Sequence, residues 1–419
     1  MSTPAASPTE GIDLSVTEFW GLPLAERHAA FARLRAVGRP VHFDEPENPF
    51  NAEGTGYYAF VSHADVSAAS NQPKLFSSAR GATSIIDLPA EWNEYFGSMI
   101  SMDDPRHARL RRIVSRAFTP RMIQKFEDDV QVTASSIVDH LLETGPCDFV
   151  QQVAARLPLK IICQMMGIGD EHYDMVLHNT NTILAGGDPE LLSEDMDTAV
   201  GRILTAGQEL TDLVTSLAAE RAENPRDDLT SALASANIDG EQLTTTELAS
   251  FFILLVSAGA ETTRTAISHG LNLLTQYPEQ RALLLDDLEA RLPGAVEEIV
   301  RYSSPVIWMR RSVTQDCTLN GNDYLEGDKV LLFYWAANRD ETVFPDPARF
   351  DITRSPNPHV GFGAAGPHFC LGAHLARREI RVMMRELMTR VPAIRATAEP
   401  DRLLSSFING IKHLPCDLG

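Results

Sequence analysis

Apolar residues recur at helical spacing between Pro23 and Val37 and again, more densely, from 105 to 302. Gly167, Gly186, Gly187, Pro225 and Gly240 punctuate the longer stretch. Strand-like runs are fewer: Tyr57 to Val61, and 306–335, which includes the apolar block from Lys329 to Tyr334. Between 77 and 101, Gly81, Pro89 and Gly97 interrupt apolar residues such as Ile85, Ile86, Leu88 and Phe96. That mixture predicts a long loop covering something apolar. A Pro/Gly-rich passage, 345–367, leads into a final helix at about 371–391, and the Pro/Ser/Thr-rich residues 1–17 are predicted to be a flexible segment. No repeat is visible. The pattern predicts a mainly α protein with small β-sheets and excludes an alternating βαβ array.

The longest apolar run, Leu248 to Ala260, is broken by Ser250, Ser257 and Gly259 and followed by Glu261 and Arg264. It is shorter than the roughly 20 residues needed to span a bilayer. Thr244 and Glu247 form a capping-box pattern ahead of it, and Pro278 is a stop signal. The spacing therefore predicts a buried helix over 245–276, about 48 Å long. Gly259 costs about 1 kcal/mol relative to alanine in mid-helix, which points to a packing reason. Small residues at 258–260 would let a planar group lie against the backbone. Thr262 can bond the carbonyl four residues back, and an ordinary core helix with a self-satisfied threonine explains it equally well.

Composition narrows the function classes. The 419 residues carry 36 Lys+Arg and 57 Asp+Glu, a net charge of −21, and 44% are hydrophobic. Such acidity argues against general nucleic-acid binding, which rests on surplus positive charge. Length alone predicts two or three domains. The first twenty residues show no signal-peptide pattern, and the five cysteines are odd in number and scattered, so a reduced, cytoplasmic chain without a membrane anchor is expected.

The passage from His359 to Glu379 is the most informative. Gly361, Gly363 and Gly366 permit tight conformations and close approach to a ligand, and Cys370 stands just before an amphipathic helix carrying Leu371, Leu375, Met383 and Leu387. Free N–H groups and the positive end of a helix dipole favour a thiolate there. A thiolate with a flat, glycine-shaped approach suits an axial ligand of haem iron. Two plainer readings stand beside it: a structural cysteine, and a nucleophile with His368 as the nearest base.

The pattern around the cysteine resembles the haem-thiolate loop of the cytochrome P450 family. Gly366, His368, Cys370 and Gly372 match in place, while Phe362 lies one residue further upstream than the common pattern has it. Gly259, Glu261 and Thr262 resemble the family's central-helix motif, Glu298 and Arg301 its Glu-x-x-Arg pair, and His107 and Arg111 its His-x-x-x-Arg element. The resemblance implies one cytochrome P450 domain over 18–419, in place of the two or three predicted by length. It implies haem b as cofactor with Cys370 as axial thiolate. Ala258, Gly259, Phe362 and Gly372 would shape its bed, and His107, Arg111, Arg311 and His368 would grip its propionates. Thr262 would orient dioxygen, the co-substrate, and Glu261 would help relay protons. Glu298, Arg301 and Arg349 would hold the fold, with Arg354 as second candidate for the third place.

The resemblance further implies an apolar substrate pocket formed by Ile85, Phe96, Met99, Ile100, Leu254, Ala258, Val306 and Phe407. Residues 101–120, 250–256 and 407–412 are most similar to an actinobacterial branch acting on methyl-branched lipids and sterol side chains. Hydroxylation of a methyl-branched lipid, terpenoid or sterol side chain at or near its terminus is the expected reaction. Another hydrophobic metabolite is the alternative substrate. A haem-based gas sensor or carrier would not need Glu261 and Thr262, and a thiol hydrolase would carry no chromophore. No flavin or iron–sulfur motif is present, so electrons are expected from a ferredoxin and its ferredoxin reductase. The arginines between Pro105 and Phe126, with Arg377, Arg378, Arg381, Arg385 and Arg390, predict a basic docking face on a monomer.

Overall fold

A computed structural model of the chain describes residues 9–46, 54–117, 120–184, 188, 190, 196–236, 240 and 242–419. The helix predicted over 245–276 is Thr245–Gln276. The Glu247 N–H donates to the Thr244 hydroxyl at 3.1 Å, and the Thr244 N–H donates to the Glu247 carboxylate at 2.9 Å. A cap of this kind contributes about 1 kcal/mol. Tyr277, held out of the α region by Pro278, ends the helix. Because it is apolar nearly all round, this central helix is buried. The helices Ala90–Gly97, Arg156–Met166, Met196–Glu223, Leu288–Ser303 and Ala373–Arg390 pack against it and share one large core.

The strands form small sheets. Five make the largest, in the order Val41–Phe43, Tyr57–Phe60, Lys329–Leu332, Met309–Val313, Phe76–Ser77. Only the pair of Tyr57–Phe60 with Lys329–Leu332 is parallel, Tyr58 facing Val330. Lys329–Leu332 is buried along its whole length between two apolar clusters, which explains its continuous hydrophobic run. Strands Cys147–Asp148, Pro415–Asp417 and Arg395–Ala396 make a second sheet, and Asp401–Arg402 pairs with Ile411–His413 in a hairpin.

Three expectations are modified. The stretch 77–101 is not loop throughout, since Ala90–Gly97 is a helix followed by a 3-10 turn at Ser98–Ser101. The first 17 residues are not a loose tail from Thr9 onward: Ile12 and Leu14 are buried beside Phe19 and Trp20, and the Trp20 indole donates to the Leu14 carbonyl at 3.0 Å. Residues 1–8 lie outside the described residues, as do Gly186 and Gly187. Thirdly, Arg349 does not complete the Glu298–Arg301 pair. Arg301 makes a bidentate pair with Glu298 at 2.7 Å, both 0% exposed, and the third cation is Arg354, 3.3 Å from Glu298. Arg349 is exposed and offers only its backbone carbonyl, which accepts from Arg301 and Arg354. The Asp351 N–H and the Asn357 amide also donate to Glu298. This network ties Leu288–Ser303 to the irregular chain that leads into the cysteine loop.

Candidate active site

The cysteine loop is shaped by backbone demands. Gly366 has φ +149°, and a side chain on it would collide with the Ser70 carbonyl oxygen. The Cys370 N–H donates to the Phe362 carbonyl at 3.0 Å. The Phe362 ring carries the Arg377 guanidinium 4.2 Å from its centre, and Arg377 is held in turn by both oxygens of Glu297 at 2.6 and 2.9 Å. The upstream offset of Phe362 thus leaves its ring anchored and facing the cavity. The final helix starts at Ala373, and the Gly372 N–H donates to the Cys370 sulfur. Burial nevertheless pushes the Cys370 thiol up, outweighing that N–H and the charges of Arg111 and Arg377. The helix start alone therefore does not offset the effect of burial on this thiol.

A mainly apolar cavity of about 500 Å³ lies between this loop and the central helix. Cys370, Phe369 and Leu371 are exposed to it. From the central helix, Leu254, Leu255, Ala258, Gly259 and Thr262 line it, a stripe at three- and four-residue spacing. Gly372, Met99, Ile100 and Val306 line it as well. Three residues expected there do not. Ile85 is buried in the cluster around Trp20 and Phe31, and Phe407 packs edge-on against Trp308 at 5.1 Å. Phe96 packs edge-on against Tyr95 at 4.9 Å. Ala82 and Met309 occupy cavity wall that the sequence did not single out. Gly259 has a packing role different from the expected one: a Cβ there would sit 2.8 Å from Ile162 Cδ1 on the neighbouring helix.

Four basic side chains gather at the cavity. The rings of His107 and His368 lie 4.3 Å apart at a tilt of 41°, and Arg111 and Arg311 line the wall with them. Burial, reinforced by Arg311, His107 and Arg111, lowers the His368 pKa to about 3, so its imidazole is neutral. His107 is lowered for the same first reason, and its buried Nε2 has no partner. Arg111 donates to the Phe369 carbonyl at 2.8 Å and Arg311 to the Arg310 carbonyl at 2.7 Å, with Tyr334 as a further partner of Arg311. Among the described residues neither guanidinium has a carboxylate within ion-pair distance. Asp103 attracts Arg311 only from beyond that distance.

Glu261 and Thr262 are adjacent in sequence but differently placed. The Thr262 hydroxyl faces the cavity and donates to the Ala258 carbonyl at 2.7 Å. Glu261 is buried away from it, beside Gly410, in an ion pair with Arg264 and a 3.3 Å hydrogen bond from Thr265. Another carboxyl group does reach the cavity wall. Glu379 is buried, hydrogen-bonded to Thr263, and its pKa is raised by burial to about 8. Its signal was legible: Glu379 falls midway between Leu375 and Met383 on the apolar face of the last helix, where a carboxylate is out of place.

The cytochrome P450 family pattern matches residues 54–391. The chain belongs to the cytochrome P450 family. As a cytochrome P450 it is a monooxygenase. A methyl-branched lipid omega-hydroxylase of Mycobacterium tuberculosis is 48% identical over 415 residues, covering 98% of this chain and 96% of the relative. A steroid C26-monooxygenase of Mycolicibacterium smegmatis is 38% identical, covering 94% and 90%. The solved structure of a Mycobacterium marinum cytochrome P450 in complex with pseudoionone superposes with a TM-score of 0.91 at 38% identity, over 100% of both chains. The family's cofactor is a haem with a thiolate ligand, and this P450's residues fit it. The cavity is mainly apolar, a thiol lies at its wall, His107 Nε2 lacks a partner, and two arginines line it without an ion pair among the described residues. Among the described residues no helix is long and apolar enough to cross a membrane.

Proposed function

We propose that this P450 binds haem b through Cys370 and hydroxylates a methyl-branched lipid, or a terpenoid or sterol side chain, at or near its terminus. The observation that carries the reading is the cavity itself, a thiol at one wall, a basic cluster beside it and an apolar stripe of the central helix. The 48% identical lipid omega-hydroxylase supplies the substrate class. Bound haem supplies the oxygen activation, R–H + O2 + 2 electrons + 2 protons giving R–OH + water.

The chain's own part is positional. Arg111 and Arg311 would answer the anionic edge of the cofactor, with the His107 imidazole beside them. Leu254, Ala258, Met99 and Val306 exclude water and present one end of an apolar chain. Thr262 spends its hydroxyl hydrogen on the Ala258 carbonyl, which leaves its oxygen free to accept a hydrogen bond from the cavity. Glu261 delivers protons to that hydroxyl only after the contact with Arg264 opens, because the carboxylate points out of the cavity. The domain that does this includes the packed segment from Thr9 as well as residues 18–419, and it works in the cytoplasm with a ferredoxin and its reductase.

The reduced, carbon-monoxide-bound spectrum tests the reading. The expected result is a thiolate-ligated Soret band in the parent and its loss in Cys370→Ser. A colourless parent protein overturns it. With a branched fatty acid the expected product is the terminal alcohol, and a profile dominated by internal alcohols would refute the positional claim.

A further inference from the structure

Cys147 and Cys416 are 269 residues apart and play no part in the cavity. The fold nonetheless places them directly opposite each other, on the antiparallel strands Cys147–Asp148 and Pro415–Asp417, with their sulfurs 3.9 Å apart. We propose that they are a reversible redox pair, a modification site at which peroxide closes a disulfide between the terminal strand and the strand at residue 147.

Backbone geometry carries the argument. Residues facing each other across an antiparallel ladder have Cα atoms about 4.5–5.5 Å apart, inside the range a disulfide spans. Their side chains share one face of the sheet. The ladder is fixed on both sides of the pair: the Phe149 N–H donates to the Leu414 carbonyl at 2.9 Å, and Cys416 also faces Ala396 on the third strand. The Val150 and Leu414 N–H groups converge on one oxygen of Asp148 at 2.9 and 3.2 Å. Bond formation then needs side-chain torsion alone, and the strands stay paired. Cys163, Cys317 and Cys370 have no such neighbour.

The two thiols differ in access, which orders the steps. Cys147 is half-buried and open to a small oxidant, whereas Cys416 is in the core. Hydrogen peroxide is the oxidant class, and it arises wherever two electrons and two protons reach dioxygen without substrate being hydroxylated. Its O–O bond breaks as the Cys147 sulfur takes up oxygen, giving a sulfenic acid and one water. The Cys416 sulfur then displaces that oxygen, which leaves as a second water with the thiol proton. The sum is two thiols and one peroxide to one disulfide and two waters. A dithiol returns the two electrons and reopens the bond. Burial raises both thiols, Cys416 to about 12, which leaves little thiolate and makes the reaction with peroxide slow.

The test uses the purified haem-loaded full chain. After peroxide treatment, alkylation without reductant and proteolysis, mass spectrometry is expected to find the Cys147 and Cys416 peptides joined, lighter by two hydrogens than their sum. Dithiothreitol should restore two separately alkylated peptides. The thermal midpoint should rise on oxidation of the parent and not of Cys147→Ser, whose carbon-monoxide spectrum should match the parent's. Recovery of both cysteines as separate alkylated residues, or of Cys147 as sulfinic acid with Cys416 free, overturns the proposal. Either result leaves the haem-thiolate reading standing, because that reading rests on Cys370.

Discussion

Glu379 is a carboxyl group whose titration burial displaces into the neutral range. In the folded protein burial keeps its proton to about pH 8, while the unfolded chain releases it near 4.5. Over that window the native state binds more protons than the unfolded one, so stability falls as pH rises, by up to roughly 1.4 kcal/mol per unit, and levels off above it. Glu379→Gln removes the titration. Its stability relative to the parent should grow from pH 4.5 to 8 and stay flat beyond, measured by denaturant midpoints across that range. An unchanged difference would mean that Glu379 is already ionised. The same scale shows what adjacency conceals: Glu261 and Thr262 are sequence neighbours, yet a helix turns successive side chains about 100° apart, and only Thr262 faces the cavity.

At the level of elements, the Glu298 network fixes the meander that delivers the cysteine loop. Removing one partner of a buried, hydrogen-bonded ion pair leaves an uncompensated charge and costs about 3–5 kcal/mol. Glu298→Ala should therefore lower unfolding stability by that order and reduce haem retention. Arg354→Ala should cost less, about 1–2 kcal/mol, because it removes one partly exposed cation. Arg349→Ala should fall within about 0.5 kcal/mol, since only its backbone is used. Equal effects of the two arginine changes would contradict the geometry. Much at this scale was readable in the chain. The central helix, the strand at Tyr57–Phe60 and the final helix follow from periodicity, capping and proline stops, which are local. The helix Ala90–Gly97 escaped because Gly81, Pro89 and Gly97 bracket it with breaker signals, and Ile12 and Leu14 escaped because two apolar residues in a polar segment carry no period.

For the whole molecule, the predicted basic face is thinner than the arginine count implied. Arg377 is paired with Glu297, Arg390 with Asp139 and Glu386, Arg106 with Glu94 and Arg109 with Glu247, while Arg385 bonds Gln131. Arg116 and Arg381 remain exposed. If an acidic ferredoxin docks here, Arg116→Glu with Arg381→Glu should slow electron transfer about tenfold at low ionic strength, with the deficit shrinking as salt is added. A rate unchanged at every salt concentration would remove this face from consideration.

The chain by itself determined the helical class, the central helix, the cysteine loop and the family, because periodicity, caps and motif order are properties of neighbours in sequence. The tertiary structure decided which arginine completes the Glu298 network, which of two adjacent polar residues meets the cavity, and which apolar residues line it. It also brought Cys147 to Cys416, two thiols that looked scattered when counted along the chain. Such matters turn on where distant segments pack and which way each side chain then points, and no local spacing encodes that.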